Sequence, residues 1–385
     1  LKDNYDNLST NLYTISPYNI SIQNLELKGN TSVVNKLLNI KFVNNVSIKD
    51  STINTAKNTG ISITECAATE IEGISVAGIN KDHGNYGLIL RSDSNVHISN
   101  SKIQSGYHAL STGGTFPNRN FIIENSRFLD DSGSYALDFH GNIDTVMLKN
   151  ITSQGGFIFN GKNLEILDSI FSNSSMGAFN NAATISPEVN TDYIKVNNTS
   201  FISDKANGLA ISQSYIDIPN EKKLQDMLPY GYIDLISINN SIVKGDTNGV
   251  YIQPSSTLPP INLRRILISN GSQITANQHF AIMGYHNTSK LNVESLEVIN
   301  SNITSGNQEA IYWVPSVSSS EVARNNNLYI QNNKIITGDP NNLGKILLNN
   351  SVTFCANIIN GTPQLNIQLN NMFAENNLLT LQCPY

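Results

Sequence analysis

One five-residue phrase, apolar-x-apolar-x-Asx, recurs along the chain and constrains its fold more than any other feature. It appears as ISIQN, VSIKD, VHISN, FIIEN, VMLKN, LEILD, IKVNN, ISINN, ILISN, LEVIN and LYIQN. The Asx falls at Asn24, Asp50, Asn100, Asn125, Asn150, Asp168, Asn198, Asn240, Asn270, Asn300 and Asn332, with Gly73 of IEG standing between the second and third. The commonest spacing is about 25 to 30 residues. Alternation of period two within the phrase means a strand with one buried face. An Asn, Asp or Gly at a fixed place after it means a turn through left-handed backbone, which those residues tolerate best.

A second short strand follows each turn (STI, SKI, SRF, SIF, TSF, SIV, SNI, NKI), and then a third (GLIL, HALS, YALD, FIFN, GLAI, GVYI, FAIM, EAIY). Three strands per repeat, twelve or so times over, predict an all-β parallel β-helix, a solenoid of about 12 coils. A helical repeat is excluded because the apolar period is two and not 3.6. Abundant Asn, Ser, Ile and Gly, with little Ala, fit strands and turns. Neighbouring rungs would lie about 4.8 Å apart, so equivalent positions form ladders. Ile22, Ile48, Ile71, Ile98, Ile123, Leu148, Ile166 and Val196 form an aliphatic core ladder, and the Asx residues an internal or turn-lining ladder of amides.

The repeat is expected to occupy residues 1–348, with the segment before Tyr18 covering its open end. It is interrupted by the insertion 213–232 (QSYIDIPNEKKLQDMLPYGY), where NEKKLQDML reads as a short capped helix, and by PSSTLPP at 254–260. Residues 349–385 lose the register and read as irregular coils or a cap. Cys66, Cys355 and Cys383 are too few and too scattered for a disulfide framework or a zinc site. They read as small buried apolar residues, with a Cys355–Cys383 cross-link the alternative. No metal or cofactor is expected. A net charge of -6 without a basic stripe argues against nucleic acid. No apolar run reaches the roughly 18 residues that span a membrane.

Proton-handling groups concentrate between Gly106 and Gly141, in GYHALSTGG and SGSYALDFHGN. Taking Leu90, Leu110, Leu137 and Phe159 as one inward ladder puts Arg91, Ser111, Asp138 and Asn160 in an outward column, and Asp93, Gly113, His140 and Lys162 two residues further on. Asp138 and His140 then share a face. The same alignment sets His108 beside Tyr135, on a side that it leaves open. The candidate catalytic residues are His108, Tyr135, Asp138 and His140. Arg91, Asp93, Tyr107, Lys162 and Arg119, in the loop between the two runs, are candidates for binding substrate. An acidic sugar would need a base for the proton alpha to its carboxylate, an acid opposite, and a cation for the carboxylate. A neutral sugar would need two carboxyl groups, for which Asp93, Asp130, Asp131 and Asp138 are available.

At these residues the chain resembles the pectin-lyase-like right-handed β-helix superfamily and, within it, phage tailspike depolymerases. The run Tyr135, Asp138, His140, as Y-x-x-D-x-H, is similar to the catalytic strand of alginate C5-epimerases and related lyases. That likeness implies an acid/base pair of Tyr135 and His140 assisted by Asp138; Tyr107 stands where a second rung of that family carries Arg. The resemblance further implies a homotrimeric spike, on a virion or extracellular, that binds and cuts a bacterial surface polysaccharide. The expected function is endo-acting depolymerisation by β-elimination. The alternatives are a glycoside hydrolase using Asp138 with Asp93 or Asp131, and a non-catalytic adhesin whose exposed Tyr and Trp313 stack on sugars.

Overall fold

The computed structural model describes residues 18–29, 35–54, 56–79, 85–114, 116–130, 134–174, 180–187, 189–212, 232–253, 261–285, 291–314, 327–339, 342–346, 352–363, 373–374, 379–380 and 383. The expected insertion up to Tyr232, the 254–260 excursion, the segment before Tyr18 and the residues His83, Asp131 and His286 lie outside them. The chain forms two compact units, residues 1–180 and 181–385. Each is a parallel β-solenoid, with about 10 turns in all and no helix among the described residues.

In the first unit the phrase strands stack in parallel, in the register read from the sequence. Ile22 pairs with Ile48, Ile48 with Ile71, Ile71 with Ile98, Ile98 with Ile123, Ile123 with Leu148 and Leu148 with Ile166. From Ile48 to Ile166 these side chains are fully buried. Every Asx of the phrase has a positive φ, between 45° and 55°, and Gly73 stands at 63°. The left-handed turn is therefore the reason for the Asx, as alternation was for the strand.

That turn leaves the N–H of the following residue without a strand partner, and a hydroxyl from the next rung supplies one. Ser101 Oγ accepts from the Ile74 N–H at 3.2 Å and donates to the Ser99 carbonyl at 2.7 Å. Ser126 repeats the pattern, accepting from Ser101 N–H at 3.1 Å and donating to the Glu124 carbonyl at 2.7 Å. On these rungs the internal polar ladder is thus the Ser after the Asx, a place that Asn333 and Asn357 take on the last described rungs. The Asn amides form a ladder on the exposed edge instead, as in Asn150 donating to Asn125 at 2.8 Å.

The second unit repeats the design from Ala183 onward. Ile194 pairs with Ile236, Ile236 with Ile266 and Ile266 with Leu296, and Ser241 Oγ accepts from the Thr199 N–H at 3.1 Å. The register expected to fail from 349 persists through residues 352–359: Leu328 pairs with Val352, and Ile335 with Ile359. Cys355 and Cys383 are joined by a disulfide, while Cys66 is buried in the first unit, its thiol pushed up to about 11 by burial. Trp313 is also buried and so cannot stack on a sugar.

Candidate active site

Three consecutive third strands of the first unit build the site: Tyr86–Arg91, His108–Gly113 and the start of Leu137–Lys149. Leu88, Leu110 and Leu137 form their inward ladder, continued by Phe157. Leu90 pairs with Thr112, and Phe159 with Phe139. The sequence alignment was therefore displaced by two residues on both outer rungs, because Leu88 and Leu90, like Phe157 and Phe159, offer equivalent apolar anchors. A slip of two keeps each side chain on its face, whereas a slip of one would have reversed it. The outward column is Ile89, Ser111, Asp138 and Ile158; Arg91 lies two residues further along, opposite Gly113.

His108 enters its strand after the bend at Gly106 and Tyr107 and is only 5% exposed. Its Nδ1 donates to the Tyr135 carbonyl at 2.6 Å, and its Nε2 lies 3.2 Å from Asp138 Oδ2. The imidazole sits between two phenol rings, with centroids 3.9 Å from Tyr107 and 5.7 Å from Tyr86. Burial lowers its proton affinity, against the upward pull of Asp138 and the Tyr135 carbonyl.

Asp138 is buried with its two oxygens divided between neighbours. Oδ2 faces His108 and accepts from Ser111 Oγ at 3.2 Å, and Oδ1 contacts His140 Nδ1. Burial alone would raise its pKa, but the two imidazoles and the Ser111 hydroxyl outweigh it and hold the carboxyl below the usual range. An ionised carboxylate only accepts, so His140 carries a proton on Nδ1, the nitrogen that contacts Asp138. The His140 side chain is 44% exposed, and Thr112 Oγ1 anchors its carbonyl at 2.7 Å. A cleft of about 570 Å³ opens above, lined by Glu65, Tyr86, Arg91, Tyr107, Asp138 and His140 among others. Burial raises the Tyr86 and Tyr107 phenols, so both keep their protons at neutral pH.

The remaining candidates are placed differently. Tyr135 is 4% exposed and meets His108 through its backbone carbonyl, so its ring is part of the core and does not face the cleft. Asp93 is wholly buried at the corner after Arg91, where its carboxylate accepts from the Cys66 N–H at 2.7 Å and the Arg91 N–H at 2.9 Å. Burial pushes it up to about 7 in spite of those bonds. It braces the turn that carries Arg91 and cannot touch a substrate. Arg119 pairs with Asp144 at 3.5 Å and Lys162 is exposed; neither lines the cleft. Asp130 is occupied by the Ser134 N–H at 2.6 Å. Tyr86 and Glu65 were missed. Tyr86 pairs in register with His108, so a correct alignment of NYGLIL with GYHALS would have found it. Among the described residues no cluster of three or more His, Cys, Asp or Glu is placed to hold a metal ion.

A family model described as Gp49, pectin lyase-like, matches residues 54–307, which include the whole of this cleft. The chain belongs to that family. As a member of the Gp49 pectin lyase-like family, it is similar to two solved phage structures. The tailspike protein gp49 from Pseudomonas phage LKA1 is 17% identical, with 89% of this chain and 52% of that one covered, at a TM-score of 0.46. The Pseudomonas phage phi297 tailspike gp61 is 14% identical, with 85% and 46% covered, at 0.37. The chain thus spans about half the length of these tailspikes. No curated protein matches it.

Proposed function

We propose that the chain is the polysaccharide-degrading part of a phage tailspike, an endo-acting depolymerase that cuts an acidic bacterial surface polysaccharide by β-elimination. The observation that carries this reading is the Asp138–His140 pair at the cleft floor. Asp138 fixes the His140 tautomer and orientation, and the half-exposed imidazole, which lines the cleft, serves as the base. Arg91 at the rim supplies a cation for the sugar carboxylate, and it lies in the same cleft as His140. That charge lowers the cost of the carbanion that forms when the proton alpha to the carboxylate leaves. The protonated phenols of Tyr86 and Tyr107 are the proton donors on hand for the departing glycosidic oxygen, whereas the resemblance implied Tyr135 as the partner of His140 in the acid/base pair. Asp138 and His108 act through His140 as positioning residues.

Glycoside hydrolysis by Asp138 with Asp93 is disfavoured, since Asp93 is enclosed by backbone donors and Asp138 is held ionised by two imidazoles. In keeping with the resemblance, the working unit is proposed to be a homotrimer, in the virion or extracellular. Incubation with a panel of purified capsular polysaccharides tests the reading. The expected result is oligosaccharides that end in an unsaturated uronate, seen by its ultraviolet absorbance and lost in His140→Ala. New reducing ends without that chromophore would point to hydrolysis, and binding without products to an adhesin.

A further inference from the structure

His108 has an acceptor at each ring nitrogen. Tyr135 O, a carbonyl, lies 2.6 Å from Nδ1, well inside the 3.5 Å of the Ser134 hydroxyl, and Asp138 Oδ2 lies 3.2 Å from Nε2. Neither of these two close oxygens can donate when Asp138 is ionised, and Asp138 is the very group that His140 and Ser111 also stabilise as an anion. A neutral imidazole has one N–H and one lone pair, so in either tautomer it would press a lone pair against an oxygen in a buried site. Only a ring protonated on both nitrogens satisfies both contacts. The flanking groups agree, because the two phenol rings whose centroids lie 3.9 and 5.7 Å away present the kind of surface that attracts a cation within about 6 Å.

We infer that His108 is a resident imidazolium, a buried cation beneath the cleft that clamps Asp138 and holds it ionised. The charged groups around it are Asp138, His140 and Asp130, so its positive charge is matched by the carboxylate it touches. Burial works against the cation and pulls its proton affinity down even with Asp138 and the Tyr135 carbonyl drawing it up. For the cation stand the close acceptor at each ring nitrogen and the two aromatic faces, and a paired buried charge is the form in which buried charge is tolerated. With Oδ2 so held, Oδ1 is left to orient His140. The inference extends the proposed site to its charge state but does not depend on the elimination chemistry.

Nitrogen-labelled histidine and proton-detected imidazole correlations, recorded on the full chain, test it. Six histidines are few enough to assign by single substitution. The expected spectrum at neutral pH shows both His108 nitrogens protonated, with two N–H signals protected from exchange. In Asp138→Asn an amide can donate to Nε2, so the Nε2–H signal should vanish while Nδ1–H remains. A wild-type His108 with one protonated nitrogen at neutral pH would overturn the inference, whatever the outcome of the cleavage assay. Should Asp138→Asn fail to fold, Ser111→Ala provides the second arm. It removes a neutral hydroxyl and should leave both N–H signals in place; loss of Nε2–H there would equally contradict a cation held by the ion pair.

Discussion

Replacing Asp93 with asparagine should abolish the response of this corner to pH. The carboxyl is wholly buried and its folded pKa is raised from 3.8 to about 7. Between those values the folded state binds the proton more tightly than the unfolded chain, so stability falls as pH rises. The loss is about 1.4 kcal/mol per pH unit, or about 4 kcal/mol over the window, and is constant above it. The amide that replaces the carboxyl does not titrate, so the variant lacks this slope. Its own cost is fixed: one of the two backbone donors, Cys66 N–H or Arg91 N–H, would face an amide NH₂, at about 1 to 3 kcal/mol. Asp93→Asn should therefore be less stable than wild type at pH 4.5, with the gap closing or reversing by pH 8. Equilibrium urea midpoints at the two pH values give the comparison. An equal gap at both would refute the claim that Asp93 is buried with its proton affinity raised.

Other substitutions separate the site from its scaffold. His140→Ala should abolish cleavage while leaving the urea midpoint near wild type, because the side chain is half exposed. Tyr135→Phe should retain cleavage, since the contact to His108 runs through a carbonyl that Phe also carries; a loss as deep as that of His140→Ala would return Tyr135 to the acid/base role. Ser126→Ala strips the Ser101 N–H of its buried acceptor and should cost about 1 to 3 kcal/mol in urea unfolding, largely restored by Ser126→Thr. Acidification bears on Asp138: its folded pKa is depressed, so its contribution is present above the unfolded carboxylate value and fades as pH falls through the lower folded one. Asp138→Asn should remove that acid-limb loss from the urea midpoints.

The solenoid was legible because it is written redundantly. Each rung restates the same alternation and the same left-handed turn, so an error at one Asx would be outvoted by the others. The role of Ser101 and Ser126 was not legible, although their place after the Asx was, because a hydroxyl partner on the next rung exists only once the rungs are stacked. The face shared by Asp138 and His140 followed from period two alone. Which residues stood beside them did not, because Leu88 and Leu90 serve equally as anchors and the displacement of two moved Arg91 along the strand. The placement of Tyr135 was not legible for a different reason: its place in Y-x-x-D-x-H carries no information on whether its ring or its carbonyl meets His108. Asp93 misled because a carboxylate at a turn looks alike whether it faces solvent or braces backbone N–H groups.

The mass of the product tests the central claim most directly. Cleavage of a susceptible acidic polysaccharide would be run to completion and the fragments weighed by mass spectrometry. Elimination from the His140 cleft predicts fragments with an unsaturated non-reducing end, lighter by one water than their hydrolytic counterparts. Fragments of full hydrolytic mass with a saturated non-reducing end would mean hydrolysis and would contradict the proposed mechanism.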